Sequence, residues 1–400
     1  MNTITLLKNT IQEYAWGSKT AIPALLGLKT PSGSPLAELW MGAHFKGPSM
    51  ALYENQWISL ADLIGTYPED ILGKDVAARF DNQIPYLLKI LAAESPLSIQ
   101  AHPSPDQARQ GFEAENRLNI PLDAPFRNYK DASHKPECIC ALEPFWALCG
   151  FRPISDILRG FKKICPESLK RQCHGLSLRP DATGLKHFFY TLMTMEQAQK
   201  DRVIQEAVSC ASAAAGDDPA YQWIKNLYAA YPSDIGILSP ALLNLVCLNP
   251  GEALFLPAGC LHAYLKGVGI ELMANSDNVL RGGLTPKHID VSELLDVLRF
   301  DESGIDILYP VSVRTAERTY PVRAEEFVLS IITVSAGTEY VSPRHRSIEI
   351  MICTSGCSML SDSSGKCIRM EKGCSAMIPA AVEYYQLKGN AVIYKAGVMI

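Results

Sequence analysis

Two stretches of this chain repeat one another without a gap, and that repeat limits what the chain can fold into. Residues 250–267 read PGEALFLPAGCLHAYLKG and residues 372–389 read KGCSAMIPAAVEYYQLKG. Gly251 aligns with Gly373, Pro257 with Pro379, Ala258 with Ala380, and Leu265-Lys266-Gly267 with Leu387-Lys388-Gly389. A strand, proline turn, strand unit used twice at fixed spacing predicts a mainly β protein of two jelly-roll barrels, each burying alternate residues of its hairpins. One position breaks the symmetry: His262 stands where the second copy has Tyr384. Only the first barrel keeps a side chain that can ligate a metal there, so the second is expected to be structural.

Between the copies the texture changes. From Pro153 to about Tyr231 the pattern is helical: Thr194-Met195-Glu196-Gln197 reads as a capping box opening an Ala-rich helix to Ala215, and Trp223, Ile224, Leu227 and Tyr228 share a helical spacing. Strand texture resumes at Pro250. The expected organisation is a discontinuous barrel from residues 1–152 plus 236–318, an α-helical insert at 153–235, and a C-terminal barrel without metal at 319–400. Neither end of the insert carries a linker, so it should pack on its neighbours.

A net charge of -5 argues against a protein built to coat nucleic acid or an anionic membrane. Nowhere do about eighteen apolar residues run together, and residues 1–10 lack an apolar core and a cleavage site, so the expectation is a cytoplasmic protein without a nucleic-acid or membrane partner. The twelve cysteines form no CxxC pair, and Cys149, Cys247 and Cys353 lie in apolar runs, which reads as reduced thiols. Cys138 and Cys140 alternate onto one strand face and read as core.

Three stretches carry the chemistry. After an apolar run at residues 84–91 comes Ser98-Ile99-Gln100-Ala101-His102-Pro103, where alternation in a strand points Gln100 and His102 to one face and packs Ile99 and Ala101 behind them. The chain then enters a helix at Ser104-Pro105-Asp106-Gln107, with an N-cap serine and a proline at the first position. A polar loop over 116–131 delivers Ser133-His134-Lys135-Pro136-Glu137 directly before the apolar run 138–142. A glutamate at the mouth of a buried strand is expensive unless it meets a cation. His262 supplies the third stretch. Gln100, His102, Glu137 and His262 offer N and O donors without a thiolate, a set that suits Zn, Mn, Fe or Co. Arg281 stands before Gly282-Gly283, where the backbone can approach a ligand closely.

The motifs YAWG (14–17), AELWMGAH (37–44), IQAHP (99–103), HKPE (134–137), LPAGCLHAY (256–264) and RGGLTPK (281–287), in this order, resemble type I mannose-6-phosphate isomerases, and Gly251-x5-Pro257-x-Gly259-x2-His262 resembles a signature of cupin barrels. The resemblance implies two cupin-type jelly rolls, one Zn2+ per chain held by Gln100, His102, Glu137 and His262, and a catalytic role for Arg281. It implies interconversion of mannose 6-phosphate and fructose 6-phosphate, which moves a proton between C1 and C2 through an enediolate whose charge fixed cations must meet. Glu271, Lys135 and His134 are candidates for proton transfer and ring opening. Lys89, Ser98, Tyr264, Lys287 and Trp16 are candidates for binding the sugar phosphate. The expected oligomeric state is a monomer. No motif covers 153–235. A metal-binding cupin that senses sugar phosphates without turning them over is the alternative, and it would have no need of Arg281 and Lys135. An oxygen-using iron cupin is a second enzyme reading, separable by metal analysis.

Overall fold

The computed structural model describes residues 1–400 except 215, 217 and 303. The repeat is visible in the backbone. In the first copy the strands Ala253–Leu256 and His262–Ala274 follow one another, and in the second Ser375–Ile378 and Tyr385–Gly397. Gly251 and Gly373 adopt φ +88° and +86°, and Gly267 and Gly389 +134° and +142°. Each matched glycine thus sits where a side chain would strain the turn or bend, which is why the spacing repeats.

The strands form two antiparallel sheets of eleven each. Neither closes into a ring among the pairings of the described residues. The first is organised around His262–Ala274, which hydrogen-bonds to Tyr86–Ala93, Ile99–Ala101, Glu137–Ala141 and Phe145–Phe151. In the second, Tyr385–Gly397 lies between Val328–Val334 and Glu349–Asp362. The second sheet also takes in the start of the chain: Thr5–Lys8 pairs with Ser375–Ile378, and Met50–Tyr53 and Gln56–Ser59 extend from it. This departs from the expected grouping of residues 1–152 with the first barrel. Thr5–Lys8 hydrogen-bonds the outer edge of Ser375–Ile378, which would otherwise present unpaired backbone groups.

The segment expected to be helical holds Ile154–Ile164, Lys170–Leu178, Ala182–Thr194, Gln197–Ala213 and Pro219–Ala230. Phe161, Phe188, Phe189, Ile224 and Leu227 share one core with Ile99, Ala101, Leu148, Leu261 and Leu280. The helices therefore back the strand that carries Gln100. The capping box expected at Thr194 is absent: Thr194 closes one helix, its hydroxyl donating to the Tyr190 carbonyl at 2.8 Å, and the next helix begins after Glu196. A threonine whose hydroxyl turns back one helical turn has nothing left to cap the next helix. That helix ends at Ala213, and Ala215 lies outside the described residues. Strand resumes at Leu243–Leu248, earlier than Pro250. Ser104 caps Pro105–Arg117 as expected, with Gln107 closing the capping box. All twelve cysteines are unpaired, and Cys138 and Cys140 are fully buried. Among the described residues no helix is long and apolar enough to cross a membrane.

Candidate active site and metal centre

His102 follows Ile99–Ala101, His262 opens the central strand opposite Gln100, and Glu137 opens the strand paired with Leu256 and Met273. His102, Glu137 and His262 are each 1% exposed. His102 Nε2 lies 3.1 Å from Glu137 Oε1, and His262 Nε2 lies 3.4 Å from Glu137 Oε2. One ligand atom from each falls within 4.8 Å of the others, the one such cluster among the described residues.

The second ring nitrogens fix the tautomers. His102 Nδ1–H donates to the Asn278 carbonyl at 2.7 Å and His262 Nδ1–H to the Cys260 carbonyl at 2.9 Å. Both Nε2 atoms are thereby left as lone-pair donors aimed at Glu137, the arrangement that orients metal-ligating imidazoles. His102 Nε2, although 3.1 Å from the carboxylate, is off hydrogen-bond geometry and has no hydrogen-bond partner. A buried acceptor facing an anion is costly unless a cation stands between them, so the donor set fits a divalent metal. Burial brings His102 down to about 4 against the opposing pull of Glu137, which keeps the imidazole neutral and able to ligate. Burial would raise Glu137, but Lys135 and His102 outweigh it and hold the carboxyl well below the usual range. The Gln100 amide nitrogen stands 3.4 Å from His262 Nε2, and a half-turn of the amide puts its oxygen there instead.

Beside this cluster a cavity of about 380 Å³ is lined by Gln100, Glu137, Lys135, Glu271 and Arg281, and by all five residues expected to meet substrate, Trp16, Lys89, Ser98, Tyr264 and Lys287. Cross-strand register explains the convergence. Glu271 stands opposite Lys89 on one side and Ile139 on the other, so Lys89, Glu271 and Glu137 share a face. Lys89 Nζ lies 2.9 Å from Glu271 and 3.6 Å from Glu38, and Lys135 Nζ lies 2.9 Å from Glu137. Burial raises the Glu271 carboxyl, with Lys89 holding it back and Glu137 and Glu38 adding to the rise. Arg281 and Lys287 meet no carboxylate in an ion pair among the described residues. Burial depresses both, and Arg281 pushes Lys287 further. Two cations without a counter-ion leave the cavity ready for an anion.

His134 does not join them. Lys135 and Glu137 line the cavity, while His134, ahead of the strand Glu137–Ala141, turns away to Glu326, 2.5 Å distant. That contact lowers Glu326 against the effect of burial. Sequence reasoning missed Glu38, which accepts from the Trp40 indole and meets Lys89 at 3.6 Å. Its signal was a carboxylate inside the apolar run ELWM. It also missed Tyr231, which brings the end of the helical segment to the cavity and donates to the Pro96 carbonyl at 3.1 Å. Asn278 is fully buried. Its carbonyl receives His102, its Oδ1 accepts from the Lys130 amide at 2.6 Å, and its Nδ2 donates to the Asp131 and Ser133 carbonyls at 2.8 Å each. One residue thus ties the His102 strand, through its backbone carbonyl, to the loop that delivers Lys135 and Glu137, through its side-chain amide.

A metal position reached from a cavity that holds unpaired cations places the protein among metalloenzymes of small anionic substrates. The family model of the type I phosphomannose isomerase catalytic domain matches residues 4–154. The chain is 40% identical over 386 residues to mannose-6-phosphate isomerase of Escherichia coli (strain K12), covering 96% of this chain and 97% of that one. It is 36% identical to the Homo sapiens mannose-6-phosphate isomerase over 340 residues, 78% of this chain and 76% of that one. A variant of phosphomannose isomerase from Salmonella typhimurium superposes with a TM-score of 0.94 at 37% identity, covering both chains fully. A zinc-bound mannose 6-phosphate isomerase superposes with 0.91 at 37% identity, also over both full chains. This chain belongs to the mannose-6-phosphate isomerase family.

Proposed function

We propose that the protein is a zinc-dependent aldose-ketose isomerase that interconverts mannose 6-phosphate and fructose 6-phosphate. The observation that carries this reading is the buried His102, Glu137 and His262 cluster, opening on a cavity where Arg281 and Lys287 have no counter-ion among the described residues. His102, His262 and Glu137 would hold one zinc with the Gln100 amide oxygen as fourth ligand. Zinc there supplies Lewis-acid charge next to the sugar oxygens.

The chain's own groups do the rest. Glu271, made more basic by burial and held in place by Lys89, takes the proton from one of C1 and C2 and returns it to the other. Lys135, fixed by its contact with Glu137, donates a proton during ring opening. Arg281 faces the negative charge that develops on the enediolate, and its planar fork needs no reorganisation to do so. Lys287 and Ser98 take the phosphate at the rim, while Trp16 and Tyr264 wall the sugar. His134, held by Glu326, has no part in these steps. A sensor without turnover is not favoured, because it would have no use for a basic carboxylate buried against Lys89.

The same reading takes each sheet with its hairpins as a cupin-type jelly roll. It groups residues 1–152 and 236–318 as the catalytic unit, 153–235 as a helical insert and 319–400 as a C-terminal unit without metal, with the strands Thr5–Lys8, Met50–Tyr53 and Gln56–Ser59 crossing to that unit. It makes the protein a cytoplasmic monomer. A coupled assay of mannose 6-phosphate turnover tests it. Activity should vanish when a chelator strips the metal and return with zinc; full turnover after the metal is shown to be gone overturns the proposal.

A further inference from the structure

A second cavity, of about 730 Å³, is bordered by Cys149, Cys260 and Arg299, and none of the four metal-site residues lines it. Cys149 sits on Phe145–Phe151 directly across from His262, and Cys260 lies two residues before His262. The two sulfurs are 3.6 Å apart. A disulfide needs about 2.05 Å, so bond formation requires a closure of only about 1.5 Å, within reach of side-chain rotation and a small shift of the turn. Cys260 is also the residue whose carbonyl accepts the His262 Nδ1–H at 2.9 Å. Whatever moves Cys260 moves the group that orients a metal ligand.

We propose that Cys149 and Cys260 are a site of reversible oxidation, closing to a disulfide that loosens His262 from the metal. The oxidant is a hydroperoxide, which reaches the sulfurs through the second cavity. One thiol sulfur attacks the O–O bond and becomes a sulfenic acid; the other displaces its hydroxyl to form the S–S bond. With hydrogen peroxide the sum is two thiols and one peroxide giving one disulfide and two waters. The two sulfurs together lose two electrons, and the peroxide oxygens gain them. A dithiol reductant reverses the step. The consequence for the metal rests on the zinc reading above, whereas disulfide formation does not.

The test uses zinc-loaded full-length protein. Hydrogen peroxide treatment followed by peptide mapping without reduction should yield the Cys149–Cys260 linked peptide, and a competing chromogenic chelator should report zinc affinity about tenfold weaker or more, the scale on which loss of a partner to a ligating histidine acts. Dithiothreitol should reverse both. Cys149→Ser should keep zinc and turnover yet hold its zinc affinity through peroxide treatment, with Cys149→Ala as the second variant should the first misfold. Absence of the linked peptide, or pairing of other cysteines in its place, overturns the proposal. A linked peptide with unchanged zinc affinity overturns the coupling to His262. If reduced protein binds no zinc at all, the metal reading fails, and the linked peptide alone decides the thiol pair.

Discussion

Replacing Lys89 with methionine removes the cation that lies between the buried carboxylates Glu271 and Glu38 and over the Trp40 ring, while keeping an apolar side chain of similar length. Removing one member of a buried ion pair costs about 3–5 kcal/mol, because the partner's charge stays buried without compensation. The carboxylate most affected is Glu271, which burial already raises and Lys89 holds back. Losing Lys89 therefore pushes the Glu271 carboxyl further in the direction that burial already takes it. The sign follows from proton linkage. A carboxyl whose native value lies above its unfolded value of about 4.3 costs nothing while protonated in both states, and its penalty grows as the unfolded state ionises and the native state does not. The loss relative to wild type should therefore be no more than about 1 kcal/mol at pH 5 and reach about 3–5 kcal/mol at pH 8. Urea unfolding of wild type and Lys89→Met, compared at each pH, measures it. Adding Glu271→Gln should recover most of the loss at pH 8, since the stranded charge is then gone. A loss below about 1 kcal/mol at pH 8, or one equal at the two pH values, would refute the reasoning.

His262→Ala should lose bound zinc along with turnover, as metal analysis of the purified variant would reveal; stoichiometric zinc in it rules out the ligand set. Arg281→Ala should lower kcat about a hundredfold or more at unchanged zinc content, with Arg281→Lys restoring only part. If KM rises alone, Arg281 anchors phosphate and the catalytic cation is to be sought at Lys135. Asn278→Ala should weaken zinc binding about tenfold or more in a competition titration, because it removes the side-chain bonds to residues 130–133 that anchor the backbone carbonyl facing His102; affinity equal to wild type would make Asn278 a purely structural residue.

What the sequence determined by itself was local. The repeat could be read because turns and bends that need φ above zero demand glycine at the same offsets twice, and strand alternation put Gln100 beside His102. His134 read as a site candidate as readily as Lys135, and only its contact with Glu326 sets it apart. Tyr384, aligned with His262, is half-buried beneath the Arg344 guanidinium rather than set in the core. Only the tertiary structure decided that Thr5–Lys8 joins the C-terminal sheet beside Ser375–Ile378, that Glu38 and Glu271 flank one lysine from different strands, and that Asn278 holds His102 and the Lys135 loop together. Each of these is a hydrogen bond or ion pair between residues far apart in the chain. No periodicity along a strand or helix encodes such a contact, because its partner is chosen by which strands become neighbours and in what register.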